Sequence, residues 1–194
     1  CLVMIYIEDN FLDKELFKLL NKNLIDFKEV KTPDKSFWVI EPDENIIKYI
    51  ITKISIIEKC EIENILAFFR QSKGKQDNDW RIHNDSIINN QQPDRAIVLY
   101  MSDNTSDSLN GTAFWEHKHY GDTFPYASDP VKYDKVLKED SEDLTKWNLK
   151  SIIGHKANRL ISYPCNYFHS KYPNEFKNRI VFVMFYKIKK YERK

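Results

Sequence analysis

The sequence predicts a mainly β protein with flanking helices: a double-stranded β-helix, or jelly roll, with two N-terminal helices packed outside. Two observations lead to this fold class. Within residues 1–60, apolar side chains recur twice at the spacing of an amphipathic helix. Beyond residue 60, about eight short runs of branched and aromatic residues are separated by turn-forming residues. With 194 residues and no internal repeat, the chain (1–194) is predicted to form one domain.

The first part of the chain (1–60) is predicted to support the β core. Leucines recur at helical spacing in its first helix and isoleucines in its second, so each helix presents one apolar face. The short strands between them are bounded by prolines. In chain order, the predicted elements are a strand at 2–8, a helix at 12–23, strands at 27–32 and 37–40, and a helix at 42–60.

The core (61–188) is predicted to consist of strands joined by turns and one long loop. Residues 117–140 keep no regular period, which is typical of a long functional loop or lid. The last residues (189–194) are basic and are predicted to form a solvated tail. The predicted core strands are 62–70, 80–87, 95–102, 112–116, 151–154, 159–163 and 179–188.

Composition narrows the function classes. A formal net charge of +1 does not favour nucleic acid, a membrane or a strongly acidic substrate as partner. The apolar opening run is too short to span a bilayer, so we expect neither a signal peptide nor a membrane span. The expected location is cytoplasmic. The cysteines are three, widely spaced and without a CxxC motif, which fits reduced thiols: Cys1, Cys60 and Cys165.

One short stretch carries the first chemical signal. His83 and Asp85 are two positions apart, and on a strand such residues project from the same face. An imidazole beside a carboxylate supplies two of the three ligands of the facial triad that binds non-haem Fe(II). Arg81 shares this face, whereas Trp80 and Asn84 point to the other side. A surface strand that carries two polar residues explains the same spacing, so this stretch alone does not decide between them.

The C-terminal third adds two further polar residues. His169 follows an apolar strand, and Arg179 comes 10 residues later (179 − 169) at the head of a strand that is apolar on both faces. An arginine near the end of a buried strand needs an anionic partner, because an unpaired buried charge is very costly. Glu175 in the preceding turn is the nearest acidic residue, and an Asp or Glu from another strand would serve as well. The carboxylate of a bound ligand is the further alternative.

The order and spacing of these residues resemble those of the Fe(II)/2-oxoglutarate-dependent oxygenases. The resemblance covers about residues 60–188 and is greatest to the prolyl-4-hydroxylase-like branch and its bacterial and phage members. In place of the Gly-Gly pair usual in that family, this sequence has Asn110-Gly111. The matching motifs are His83-x-Asp85, Gly111-Thr112-Ala113-Phe114-Trp115, Asn158-Arg159-Leu160-Ile161-Ser162-Tyr163-Pro164, and His169 with Arg179.

The resemblance implies a set of roles. His83, Asp85 and His169 would bind Fe(II), Arg179 would hold the distal carboxylate of 2-oxoglutarate, and Tyr100 would assist it. The implied cofactors are Fe(II), the cosubstrate 2-oxoglutarate and O2, with release of succinate and CO2. The implied reaction is hydroxylation of a peptidyl side chain or small metabolite. Halogenation is not favoured, because a carboxylate stands where such enzymes leave room for a halide.

Other assignments remain open at the level of sequence. His117 and His119 are also two apart and, with Glu116, offer a second, cupin-like metal cluster, but no second half of such a motif follows. Together with Arg81 and Tyr120, these two histidines are candidates for the substrate mouth. A non-catalytic jelly-roll or cupin-like ligand-binding module is the alternative function. Another histidine, His155, is predicted to lie at the surface or to cap a strand end.

Overall fold

The structure, a computed structural model, describes residues 4–31, 36–72, 81–102, 111–124, 126–172 and 178–189. Within these residues, no helix is both long and apolar enough to cross a membrane. The elements are β1 (Tyr6–Asp9), α1 (Lys14–Asn23), β2 (Lys28–Lys31), β3 (Ser36–Ile40), α2 (Glu44–Glu58), β4 (Ile62–Ser72), β5 (Arg95–Tyr100), β6 (Gly111–His117), α3 (Pro130–Glu139), β7 (Trp147–Ile153), β8 (Arg159–Pro164), β9 (His169–Tyr172) and β10 (Arg179–Ile188).

The strands form two sheets in which every pairing is antiparallel. The large sheet has the order β1-β8-β5-β10-β4-β3-β2, and the small sheet has the order β7-β6-β9. Apolar residues from both sheets meet in one cluster, which we call the inner core. The predicted mainly β fold class is therefore confirmed. The buried members of the inner core are Ala96, Val98, Tyr100, Phe114, Ile153, Ile161, Tyr163, Cys165, Val181 and Phe185.

The two N-terminal helices cover the other face of the large sheet. Along β5 and β10, every second side chain points away from the inner core, and Leu99 and Phe182 are examples. They pack against Ile50 and Ile54, the two fully buried residues of α2. The sequence prediction of two helices packed outside the β core is thus confirmed, because each helix buries its apolar stripe on the sheet.

The predicted loop at 117–140 is wrong in part, because it contains α3. Its N-terminus is capped by the Asp129 side chain, which accepts a hydrogen bond from the backbone N–H of Lys132 at 3.0 Å, and Pro130 follows directly. Only Tyr133 and Val136 are buried on this helix. Two buried positions among many charged residues give too weak a period to be recognised in the sequence.

Helix α3 covers the outward face of the small sheet. Its Val136 lies in a third cluster, which we call the outer core, and the side chains of β6 alternate between the inner and outer cores. Phe114 belongs to the inner core, whereas its neighbours belong to the outer one. The buried members of the outer core are Ile82, Ala113, Trp115, Val136, Trp147 and Phe168.

Gly111 is the first residue of β6. A Cβ atom at this position would lie 1.8 Å from the carbonyl oxygen of Ile153 on β7. The glycine is therefore explained by the close approach of two backbones at the start of a strand.

An ion-pair cluster joins the start of the chain to β8. The carboxylate of Asp9 accepts hydrogen bonds from Arg159 Nε and Lys156 Nζ, each at 2.6 Å. These two cations, Arg159 foremost, lower the pKa of Asp9 from 3.8 to about 2. Because the folded-state pKa lies below the unfolded one, this stabilisation is present above pH 3.8 and is lost as the pH falls towards about 2.

We expect Asp9→Asn to lower the free energy of unfolding at pH 7 by about 1 kcal/mol, since the pair is partly exposed and screened. The difference from the wild-type protein should shrink as the pH is lowered from 4 to about 2. Urea unfolding of both proteins across this range measures it. A difference that stays constant with pH would show that the loss does not come from the ionised carboxylate.

Candidate metal centre

Three side chains from two separate parts of the chain meet in a partly buried cluster. One ligand atom each from His83, Asp85 and His169 lies within 4.8 Å of the others. The Nε2 atom of His169 is 3.3 Å from Asp85 Oδ2, and the Nε2 atom of His83 is 3.8 Å from Asp85 Oδ1. The structure therefore brings together the three residues that the sequence proposed as metal ligands.

The backbone that carries His83 differs from the prediction. The predicted strand at 80–87 is wrong over its described part (81–87), where His83 forms an isolated bridge to the start of β9. The two histidines exchange backbone hydrogen bonds of 3.0 and 2.7 Å, and Asp85 N–H donates to the carbonyl of Cys165 at 2.8 Å. Local pairing with β9 and its preceding turn therefore fixes the positions of His83 and Asp85. Trp80 lies outside the described residues.

Hydrogen bonds select one tautomer for both imidazoles. The Nδ1 atom of His83 is 2.9 Å from the carbonyl oxygen of Arg81, and that of His169 is 3.0 Å from the carbonyl oxygen of Tyr167. A carbonyl oxygen only accepts, so each Nδ1 carries the hydrogen and each neutral imidazole presents the lone pair of Nε2. Each Nε2 atom thus presents its lone pair on the side of the Asp85 carboxylate.

This donor set fits a divalent cation. Two imidazole nitrogens and one carboxylate on one side of a metal are the donors of a facial triad, which suits Fe(II). Bonds of about 2.1 Å at right angles would place neighbouring donor atoms about 3 Å apart. The distances of 3.3 and 3.8 Å are slightly wider, so small side-chain movements would close the set around an ion.

A tyrosine that the sequence did not single out also reaches the cluster. The hydroxyl of Tyr163 lies 3.2 Å from His169 Nε2, and its ring packs edge-on against Phe114 with centroids 5.2 Å apart. Tyr163 is only 2% exposed, and burial raises the pKa of its hydroxyl well above the usual value. In the sequence, Tyr163 stood out only as a member of the motif that ends at Pro164.

Arg179 lies at the other end of the same interior. It occupies the face of β10 that Val181 shares, and Val181 pairs with Tyr100 across to β5. The guanidinium carbon is 5.5 Å from the centre of the Tyr100 ring, and Arg179 is only 6% exposed. The Tyr100 hydroxyl shares a 2.8 Å hydrogen bond with Thr112. Glu175, the structural partner considered for Arg179 in the sequence, lies outside the described residues.

His155 belongs to this end of the interior as well. Its predicted position at the surface or as a cap is wrong, because the side chain is buried and its Nε2 atom lies 2.8 Å from the carbonyl oxygen of Ser102. Its ring packs 5.0 Å from that of Tyr100. A lone histidine after a short strand gives no sequence signal for this location.

The candidates for the substrate mouth lie elsewhere. His117 is on the outward face of β6, opposite to Phe114, and its Nε2 atom is 3.1 Å from Asp140 Oδ2. Its Nδ1 atom accepts the backbone N–H groups of His119 and Tyr120 at 3.1 and 3.3 Å. This histidine therefore holds the turn after β6 against the end of α3. All three residues line a separate cavity of about 330 Å³.

Arg81 lies between the metal cluster and α3. Its carbonyl orients His83, and its positive charge acts on the Tyr133 hydroxyl of α3, whose pKa burial raises. The same hydroxyl donates to the side chain of Asn84 at 2.7 Å. Asn84 thus bonds towards α3, on the side of the stretch away from Asp85, as its position in the sequence predicted.

A larger cavity is lined by Phe114 and Tyr167, two neighbours of His169, and by none of the three proposed metal ligands. The Phe114 ring is tilted at 43° to the His169 ring with centroids 6.3 Å apart, and the carbonyl of Tyr167 accepts from the same histidine. The cavity has a volume of about 410 Å³. Its lining combines aromatic, charged and aliphatic residues: Met4, Ile5, Phe114, Trp115, Asp122, Lys150, Ser151, Tyr167 and Phe168.

Comparison with known proteins adds evidence on the fold. No protein-family model and no curated protein sequence matches this chain. HygX from Streptomyces hygroscopicus, solved with nickel, 2-oxoglutarate and hygromycin B, superposes with a TM-score of 0.60 at 10% identity, covering 95% of this chain and 82% of HygX. The chain has the jelly-roll fold of the Fe(II)/2-oxoglutarate oxygenases.

Two prolyl hydroxylases share this fold. The prolyl-4-hydroxylase of Pseudomonas putida matches with a TM-score of 0.51 at 10% identity, over 96% of this chain and 93% of that one. The prolyl hydroxylase of Trichoplax adhaerens, solved with a peptide fragment of hypoxia inducible factor, gives 0.52 at 13% identity, over 95% and 83%. The resemblance that the sequence motifs indicated is confirmed at the level of the fold.

Proposed function

We propose that this protein is an Fe(II)- and 2-oxoglutarate-dependent dioxygenase that hydroxylates a small molecule or a single peptidyl side chain. The observation that carries this proposal is the convergence of two imidazole nitrogens and a carboxylate in one partly buried cluster. When bound, the metal with its cosubstrate and O2 supplies the oxidation of an unactivated C–H bond and releases succinate and CO2. His83, Asp85 and His169 hold the metal.

Arg179 supports the cosubstrate part of the proposal. A guanidinium binds a carboxylate through two parallel hydrogen bonds, and such bonds are strong in a buried setting. Arg179 is buried on the interior face of β10, beside Tyr100. We therefore assign it to the distal carboxylate of 2-oxoglutarate, with Tyr100 packed against it. A non-catalytic ligand-binding module would need neither this arginine nor the three converging donors.

We assign the substrate to the cavity beside Phe114, because its lining includes Tyr167, whose carbonyl orients His169. Its volume of about 410 Å³ falls at the lower end of the range of about 300–1,000 Å³ typical of small-molecule sites. This volume has room for a small metabolite or one side chain of a peptide. Both kinds of ligand occur in proteins of similar fold, hygromycin B in HygX and a peptide fragment in the Trichoplax enzyme.

The proposal is tested by adding Fe(II) and then 2-oxoglutarate to the metal-free protein without oxygen. We expect a weak visible absorption band near roughly 500 nm, which reports 2-oxoglutarate bound directly to the iron. Admitting oxygen should then produce succinate slowly, even without a prime substrate. A protein that binds Fe(II) but gives neither the band nor succinate would be a binding module and not an oxygenase.

A further inference from the structure

The side chain of Asn84 is buried on the side of its stretch away from the two proposed ligands that flank it. It is only 5% exposed. The amide nitrogen donates to the carbonyl oxygens of Phe124 and Asn166, at 2.9 and 3.2 Å. The amide oxygen accepts from the Tyr133 hydroxyl at 2.7 Å and from the backbone N–H of Ser86 at 3.3 Å. Both hydrogens and both lone pairs of this amide are therefore used.

The partners of the amide lie in three other parts of the fold. Phe124 precedes α3, Tyr133 is on α3, and Asn166 is in the turn that joins β8 to β9. This turn leads into His169, the proposed ligand at the start of β9. A single buried amide thus connects the stretch that carries the other two ligands both to the third ligand and to α3.

Tyr133 makes the connection to α3. Its hydroxyl is 2.7 Å from Asn84 Oδ1 and 3.0 Å from the backbone carbonyl oxygen of Asn84, so its one hydrogen is directed at both atoms. Its ring lies parallel to that of Phe124, with centroids 6.2 Å apart. Tyr133 is one of the two buried residues of α3. A residue that anchors this helix therefore places its polar atom directly behind the proposed metal ligands.

These bonds act on the residue that joins two ligands. The backbone angles of Asn84 set how His83 and Asp85 are directed relative to each other, and this stretch forms only an isolated bridge, without the continuous pairing of a strand. Ligands that outer hydrogen bonds hold in position bind a metal more tightly, because less ordering is required when the ion binds.

We propose that Asn84 is a positioning residue for the metal centre and that Tyr133 couples helix α3 to that centre. The amide holds the backbone between His83 and Asp85, and the tyrosine hydroxyl holds the amide. This inference rests on the proposed function. It gives α3 a role beyond covering the small sheet, since a change in the packing of this helix alters the affinity for the metal.

Two variants test this positioning role. Asn84→Ala removes all the bonds of the amide and should bind Ni(II) about tenfold more weakly than the wild type, as expected for a residue that orients metal ligands. Tyr133→Phe keeps the ring beside Phe124 and removes only the hydroxyl, so it should weaken Ni(II) binding about threefold. Calorimetric titration of the metal-free proteins measures both without turnover. Tyr133→Phe, the milder change, tests the proposal even if Asn84→Ala does not fold.

The double variant distinguishes positioning from a simple loss of stability. Because the hydroxyl acts through the amide, most of the effect of Tyr133→Phe on Ni(II) affinity should be absent once Asn84 is replaced by alanine. Two independent effects would instead multiply to about thirtyfold. The visible bands of the Co(II)-loaded proteins give a second readout, because they depend on ligand geometry, and we expect them to shift in both single variants.

Tyr186→Phe is the matched control. Tyr186 is also fully buried, and its hydroxyl donates to Glu58 at 2.6 Å on the helix side of the large sheet. Its loss should lower the unfolding temperature while leaving the Ni(II) affinity and the Co(II) bands unchanged. A general effect of removing a buried hydroxyl would appear in both tyrosine variants, whereas positioning of the ligands is altered only in Tyr133→Phe.

The outcomes separate this inference from the proposed function. Unchanged Ni(II) affinity in Asn84→Ala and Tyr133→Phe overturns the positioning role and leaves the oxygenase proposal intact. Full multiplication of the two effects in the double variant, or an equal effect of Tyr186→Phe, overturns the coupling of α3 to the metal centre. A wild-type protein that does not bind Ni(II) overturns both the inference and the proposed function.

Discussion

Replacing His83 with alanine should weaken Fe(II) binding by roughly a hundredfold or more. The variant keeps Asp85 and His169, but two donors do not enclose the ion on one side, and the third position opens to solvent. Because the cosubstrate is proposed to bind through the metal, the visible band and the formation of succinate should disappear with it. His83 is bonded to β9 through its backbone, so the substitution leaves that pairing in place.

His119→Ala is the control for the metal step. His119 is exposed on the turn after β6, where its backbone N–H bonds to His117. Its removal should leave Fe(II) affinity unchanged, which would also argue against a cupin-like cluster at 116–119. Anaerobic titration with Fe(II) compares the two variants. Retention of tight iron binding in His83→Ala, or its loss in His119→Ala, would mean that the metal lies elsewhere.

The proposed metal ligands His83 and Asp85 could be predicted because their signal is local and chemical. His83 and Asp85 are two residues apart, and the parity of an extended backbone is enough to place both on one side. The structure retains this parity although the stretch is not a regular strand, because His83 pairs with His169. The pairing partner itself could not be derived from spacing, since it depends on how β9 meets β6 in three dimensions.

Helix α3 shows where local patterns fail. The residues that anchor it, Tyr133 and Val136, gain their burial from the outer core, whose other members come from distant strands. Tertiary packing of this kind stabilises a helix of weak intrinsic propensity, and it cannot be recognised from a short stretch of sequence. The contact of His117 with Asp140 at the end of α3 depends on the same packing and could not be derived from the sequence, which offered His117 as a mouth residue.

Tyr163 was missed for a different reason. In the sequence it is one aromatic residue in an apolar strand, and such residues usually fill a core. Its ring does fill the inner core, beside Phe114. Only the three-dimensional position of its hydroxyl, 3.2 Å from His169 Nε2, shows that this core residue also places a polar atom at the candidate metal centre. A residue can thus satisfy a core pattern and still contribute its polar atom to a site.

Replacing Arg179 with alanine should weaken 2-oxoglutarate binding to the metal-loaded protein by about a hundredfold while sparing the metal. Two charge-assisted hydrogen bonds to a carboxylate are lost, a change of about 3 kcal/mol. Arg179→Lys keeps the positive charge but cannot form two parallel hydrogen bonds. Its affinity for 2-oxoglutarate should therefore be about tenfold higher than that of Arg179→Ala and remain below that of the wild type. Titration of each nickel-loaded variant with 2-oxoglutarate gives the comparison.

Arg159→Ala provides the matched control for Arg179. Arg159 is also an arginine at the start of a strand, but its guanidinium binds Asp9. Its loss should lower stability, as Asp9→Asn does, and leave 2-oxoglutarate affinity unchanged. The metal affinity of Arg179→Ala decides between the two roles considered for this arginine. If nickel binding falls together with 2-oxoglutarate binding, the guanidinium holds the fold around the metal cluster, and the cosubstrate carboxylate must be bound by another group.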